Sequence, residues 1–323
     1  MTLRIALGVI AAALLLALPQ IAAALGQPAL VTLATRIAVY AIAAASLNFI
    51  LGYGGMVSFG HAAFFGLGAY TVGMLFHHAG AGPMFGLIPG TTQLALTIPL
   101  AMLVAGLAAA AIGALSLRTG GVQFIMITLA FAQMLFFLFV SLTTYGGEDG
   151  LIIRRPNEFL GLNLRDRATM YYTALGFAAL FFALLWRIVH SSFGAVIQGI
   201  RQNERRMAAL GFAPYRYKLA AFVLSGMGCG LAGALMANVL RFTSPDLMHW
   251  TKSGELIIMV ILGGLGTFFG PILGAAAFLI LETTLSGWSE HWPLALGAIL
   301  LVIVLFTRGG VAGLIARLPG LRR

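Results

Sequence analysis

Three groups of residues in this 323-residue chain carry side chains that could do chemistry. Ser58 and His61 lie within residues 47–70, LNFILGYGGMVSFGHAAFFGLGAY, among glycines at positions 52, 54, 55, 60, 66 and 68. A histidine there could hydrogen-bond a substrate carboxylate or the freed amides of a broken helix; equally, it could be a packed and satisfied core residue. The second group is Arg201, Glu204, Arg205, Arg206, Arg216 and Lys218, six charges within 18 residues. Such a basic stretch can anchor a loop in water or bind a partner protein. The third group is scattered: Glu282 in an apolar run, His77–His78 at the end of another, and the single cysteine, Cys229. The clustered His, Asp, Cys or Ser/Lys sites that a membrane-embedded enzyme would need do not appear within the apolar runs, and His77–His78 lack a third ligand at metal spacing. No catalytic residue, metal site or cofactor is therefore expected.

The elements that must position these residues are membrane helices. The chain is 9% charged, far below the roughly 25% that a water-facing surface requires. Its mean hydropathy of +0.99 assigns it to the bilayer, and the scattering of its arginines through short loops argues against nucleic acid as a partner despite a net charge of +10. Hydrophobic runs near 5–25, 30–51, 57–76, 93–115, 122–142, 169–189, 219–240, 255–270, 272–288 and 293–307 predict an all-α, polytopic fold with about ten segments. The pair 255–270 and 272–288 is short against the roughly 20 residues needed to cross a hydrocarbon core, so a tight turn or a broken helix is expected between them. The first run, with Arg4 and small residues at 22–24, resembles a secretory signal peptide. It is long enough to span, and its retention as a span is expected.

Ten spans place both ends of the chain on one side, and the charges choose that side. Twelve basic residues against Glu204 alone fall on one face; seven basic and seven acidic residues fall on the other, with Glu282 left in a span. The positive-inside rule makes the first face cytoplasmic. The chain then reads as one transmembrane domain, 1–323, with a cytoplasmic loop at 190–217, an external loop at 143–167 and a cytoplasmic tail at 308–323. Glycine-rich backbone at 52–68 is tolerated in a membrane only where protein or a watery cavity satisfies its amides. It either permits close helix packing or forms a broken, re-entrant segment lining a substrate path, for which Gly55, Ser58, Gly60, His61 and Gly66 are the candidates. Glu282 would be costly in hydrocarbon and so faces protein or water, or reaches the interface from the outer end of its helix. A helix over 196–210, ending near Gly211 as its cap, would put Arg201, Glu204 and Arg205 on one face.

Residues 47–70 resemble the N-terminal signature of the permease subunits of branched-chain amino acid ABC transporters. Three further segments match in the same order. Residues 144–151 (TYGGEDGL) resemble the family's external GG-x-DGL loop, and 203–218 (NERRMAALGFAPYRYK) its NE-x-x-A-x-x-x-G cytoplasmic loop. Residues 262–275 (LGGLGTFFGPILGA) resemble its late GG-x-G-T-x-x-GP-x-x-GA stretch. The likeness is to the longer, "M"-type permease of such systems. It implies an ABC importer permease fold, a multi-pass place in the bacterial cytoplasmic (inner) membrane, and contact with membrane lipid. It also implies protein partners: a second homologous permease, two cytosolic ATPase subunits and an external or periplasmic solute-binding protein.

The resemblance further implies that the 190–217 loop couples to those ATPases, with Arg201, Asn203, Glu204, Arg205 and Gly211 as the residues involved. The general pattern for such loops is E-A-A-x-x-x-G; here Arg205–Arg206 stand where the two alanines would fall. No G-x-x-x-x-G-K-[ST] phosphate loop occurs in the chain, so ATP would be used by the partner subunits. Relatives of this kind also serve urea, short amides and aromatic acids. An ion-coupled secondary transporter, which usually places ionisable groups at the midplane, has only Glu282 to offer.

Overall fold

The computed structural model describes residues 2–82, 90–154, 157–159, 162–288, 291–306, 309–311 and 313. The tail expected at 308–323 therefore falls almost wholly outside the described residues. Each of the ten apolar runs coincides with a helix: α1 Thr2–Ala24, α2 Ala29–Asn48, α3 His61–Ala81, α4 Leu94–Ser116, α5 Val122–Ser141, α6 Arg167–Val189, α9 Pro214–Leu240, α10 Trp250–Gly263, α11 Gly270–Ser286 and α12 Trp292–Phe306. Two shorter helices, α7 Ser192–Gln202 and α8 Glu204–Ala209, fill the basic loop. Among the described residues, five helices are long and apolar enough to cross a membrane on those grounds alone: α4, α5, α6, α9 and α2 with its continuation to Tyr53. The protein is an all-α, polytopic membrane protein.

Helix α9 is the axis of the packing. It lies against α3, α4 and α2, and the small residues along it decide how closely. A side chain at Gly68 of α3 would meet the Gly230 carbonyl at 2.1 Å, and one at Gly233 would meet the Phe65 carbonyl at 1.8 Å. Gly66 is pressed just as hard, by Met248. In lipid, where apolar burial gives helices little reason to associate, such backbone proximity supplies the dispersion contacts that hold them. By contrast α5 and α6 bury few of their residues, with Met126, Met134, Phe137, Leu180 and Leu184 turned outward.

Among its described residues, the segment 143–166 holds two short 3-10 turns and three two-residue strands. Two-residue strands β1 (Leu151–Ile152) and β4 (Phe242–Thr243) pair antiparallel, as do β2 (Glu158–Phe159) and β3 (Leu162–Asn163). Asn157, buried, ties the segment to the helices through Asn238 and Thr97. Asp166 then starts α6 by accepting the Thr169 amide at 3.1 Å, a hydrogen bond that favours the ionised carboxyl and lowers its pKa.

Candidate functional site

The glycine-rich stretch breaks one helix and starts another. Glycine costs a helix about 1 kcal/mol relative to alanine, and Gly52, Gly54 and Gly55 fall together. Helix α2 first loosens into a π-helical turn at Phe49–Tyr53. Gly55 then takes a left-handed backbone (φ +70°), and the Met56 amide closes the end on the Ile50 carbonyl at 2.9 Å. The chain does not run straight into α3. It bends at Ser58 and begins the new helix at His61, which meets Ser225 in the middle of α9 and, through it, the Ser46 carbonyl near the end of α2. The helix predicted from residue 57 thus starts four residues later.

Several polar groups of that start find partners on other elements. Ser253 of α10 accepts the Ala62 amide at 2.9 Å and donates to the Phe59 carbonyl at 2.6 Å. Thr128 of α5 accepts the Phe59 amide at 3.3 Å, and Ser58 accepts the Gly60 amide at 3.2 Å. His61 is buried. Its two ring nitrogens meet Ser58 at 3.2 Å and Ser225 at 2.7 Å, and Ser225 donates onward to the Ser46 carbonyl. Phe64 and Phe222 pack edge-on against the imidazole. Of the two readings open for His61, the geometry is that of a satisfied histidine joining α2, α3 and α9.

The second glycine-rich stretch turns α10 back into α11 at 264–269 and touches the first. Asn48 uses both ends of its amide there: its Oδ1 accepts the Gly266 amide and its Nδ2 donates to the Thr267 carbonyl, each at 2.9 Å. A methyl at Gly52 would sit 2.5 Å from the Gly266 nitrogen, so the two broken segments meet backbone to backbone. Asn48 escaped the sequence reading. The available signal was an amide inside an apolar span, where polar side chains bond across helices.

The basic loop closes over this junction. Helix α7 is amphipathic, with Val196, Ile197 and Ile200 buried. It ends at Gln202, because the extended Asn203 accepts the Arg206 amide at 2.9 Å and caps a new helix. The single helix expected over 196–210 is therefore two, and α8 folds back so that Met207 rests on Gly199. This separates the three residues expected on one face. Arg205 is exposed on α8. Glu204 pairs with Lys218 of α9 at 2.5 Å. Arg201, though itself exposed, reaches across to donate to the Gly52 carbonyl, its stem 2.9 Å from where a Gly55 side chain would begin.

Gly211 is left-handed (φ +88°). The Phe212 amide reaches the Met207 carbonyl and the Gly211 amide that of Ala208, the paired bonds of a Schellman cap. A cleft of about 420 Å³ lies between the loop and the first break, lined by Gly55, Val57, Gly121, Arg201, Glu204 and Lys218. Gly60 and Gly66 lie outside it, against Thr128 and Met248.

Comparison with known proteins agrees with this architecture. Residues 29–306 match the family model described as the branched-chain amino acid transport system permease component. The chain is 28% identical to the high-affinity branched-chain amino acid transport permease LivM of Salmonella typhimurium, over 87% of this chain and 69% of that protein. It is 26% identical to a probable LivM permease of Methanocaldococcus jannaschii, over 80% and 81%. A shorter region, 39% of the chain, is 30% identical to the ribose import permease RbsC of Bacillus subtilis. No solved structure matches the chain. A polytopic helical bundle built on two glycine-rich breaks, and a family match covering nearly all of it, make this chain a member of the branched-chain amino acid transport permease family.

Proposed function

We infer that the chain is the transmembrane permease subunit of an ATP-driven importer that brings branched-chain or related amino acids into the cytoplasm. It works beside a second, homologous permease in the cytoplasmic membrane. An external solute-binding protein delivers substrate, and two cytosolic ATPases supply the energy. The 190–217 loop receives the ATPase stroke, while the broken segment at 52–60 supports the translocation path. One observation carries the coupling part of this reading: Arg201, on the basic loop, hydrogen-bonds Gly52 within the first break. A displacement of α7 would therefore reach the glycine-rich backbone directly. The exposed Arg205 and Arg206 remain turned to the water from which an ATPase would dock.

Reconstitution tests this. Proteoliposomes holding the chain, its partner permease and both ATPases should take up leucine when ATP and binding protein are supplied. Replacing the phosphate-loop lysines of the ATPases should abolish that uptake. Uptake driven by a proton or sodium gradient without the ATPases would instead make the protein a secondary transporter.

A further inference from the structure

The outer ends of α2, α10 and α11 bring together five polar side chains that nothing so far has used. Arg36 of α2 and Glu282 of α11 approach to 3.6 Å. Lys252 and Glu255 of α10 pair at 2.8 Å. Tyr40, itself buried, lies one turn beyond Arg36 on the same face of α2. At 1.5 Å of rise per residue, Arg36 sits ~10 Å along α2 from its start and Glu282 ~6 Å from the end of α11. Both thus sit within helices rather than in the connecting loops, and both are partly buried. Ionised groups at such positions are costly and commonly mark a transport route.

The two pairs are not alike. Lys252 reaches both oxygens of Glu255, at 2.8 and 2.9 Å, and is locally satisfied. The Arg36–Glu282 contact is too long for a hydrogen bond. Among the described residues neither side chain, nor the Tyr40 hydroxyl, makes another hydrogen bond within the chain. A guanidinium with five donors and a carboxylate with two acceptor oxygens therefore keep most of their capacity. They are half-buried, at 27% and 23% exposure, and stand side by side with opposite sign. A plain ionic clamp would gain from shorter contacts, and apolar residues often serve as well as a buried ion pair.

We propose that Arg36 and Glu282, with Tyr40 beside them, form a recognition site for the zwitterionic head of an amino acid entering from outside, with the α-carboxylate on Arg36 and the α-ammonium on Glu282. The guanidinium fork fits a carboxylate with two parallel bonds, and net neutrality matches a ligand of no net charge. Tyr40 stacks on Phe65 at 5.8 Å, four residues beyond His61, so the site adjoins the helix that the first glycine break begins. This inference rests on the importer reading above.

The test is the affinity of the reconstituted complex for L-leucine, measured without binding protein and without nucleotide, in phosphatidylcholine vesicles. Arg36→Gln and Glu282→Gln should each weaken leucine about tenfold or more. The double exchange Arg36→Glu with Glu282→Arg should not recover it, because the exchange rebuilds an ion pair but reverses the head-group polarity. Glu282→Asp, which keeps both charges, covers the case in which a neutral variant fails to assemble, and should still weaken binding. Wild-type affinity in the single variants, or recovery in the exchange, would overturn the proposal and leave a clamp between helices. A loss confined to vesicles containing phosphatidylethanolamine would assign the pair to a lipid head group and also overturn it. A wild-type complex that neither binds nor transports any amino acid would instead refute the importer reading itself.

Discussion

Two polar regions of this molecule are built on opposite plans. At the junction of the glycine breaks, Asn48, Ser58, His61, Ser225 and Ser253 are all engaged, each by a named partner. Near the start of α2 and the end of α11, Arg36 and Glu282 stand 3.6 Å apart with bonding capacity unspent. Saturation at the first region holds irregular backbone rigidly where water is scarce. Incomplete pairing at the second leaves donors and acceptors for a ligand. On the proposals made above, the glycine-rich region would transmit motion and the Arg36–Glu282 pair would read chemistry.

The contrast can be broken most severely at Gly52. Its added side chain would meet the Gly266 backbone at 2.5 Å and the Asn48 oxygen at 2.2 Å, and backbone cannot swing aside. Gly52→Val should remove most folded protein from the membrane, whereas Arg36→Gln should leave the assembled amount near wild type. Detergent-extracted yield on size-exclusion chromatography measures both. Asn48→Leu should act less strongly. It strands the Gly266 amide and the Thr267 carbonyl, at about 1–3 kcal/mol each, and should lower the melting temperature without abolishing assembly.

The smallest effect on stability should come from the loop. Glu204→Ala breaks an ion pair whose carboxylate is 53% exposed, a loss of about 0–1 kcal/mol. Its melting temperature should hardly move, while stimulation of ATPase activity by binding protein and substrate should fall. Full stimulation in Glu204→Ala would leave the loop a basic anchor.

Much of the fold was legible because an apolar run of spanning length has one outcome in a bilayer, a helix with its backbone bonded internally. All ten runs were found on that ground. Boundaries were read less well where polar residues decide them. Asn203 splits the loop helix through a local side-chain cap, and α10 begins at Trp250, five residues before its apolar run was placed. The junction itself was half visible. Gly52, Gly55 and His61 stood out by type. Their partners did not, because Asn48 meets Thr267 across 219 positions and Ala62 meets Ser253 across 191. Nothing in a single sequence links residues so far apart. A single helix would group Arg201 with Glu204 and Arg205 on one face; the break at Asn203 and the reach to the Gly52 carbonyl place Arg201 instead between the loop and the broken helix.

That place is the centre of the account, and one substitution tests it. Arg201→Met keeps the length of the stem over Gly55 but removes the donor to the Gly52 carbonyl. In the reconstituted complex with both ATPases, basal ATP hydrolysis should persist, while stimulation by loaded binding protein and leucine uptake should both fall at least tenfold. Normal stimulation and uptake in Arg201→Met would contradict the claim that the loop drives the glycine-rich segment through this contact.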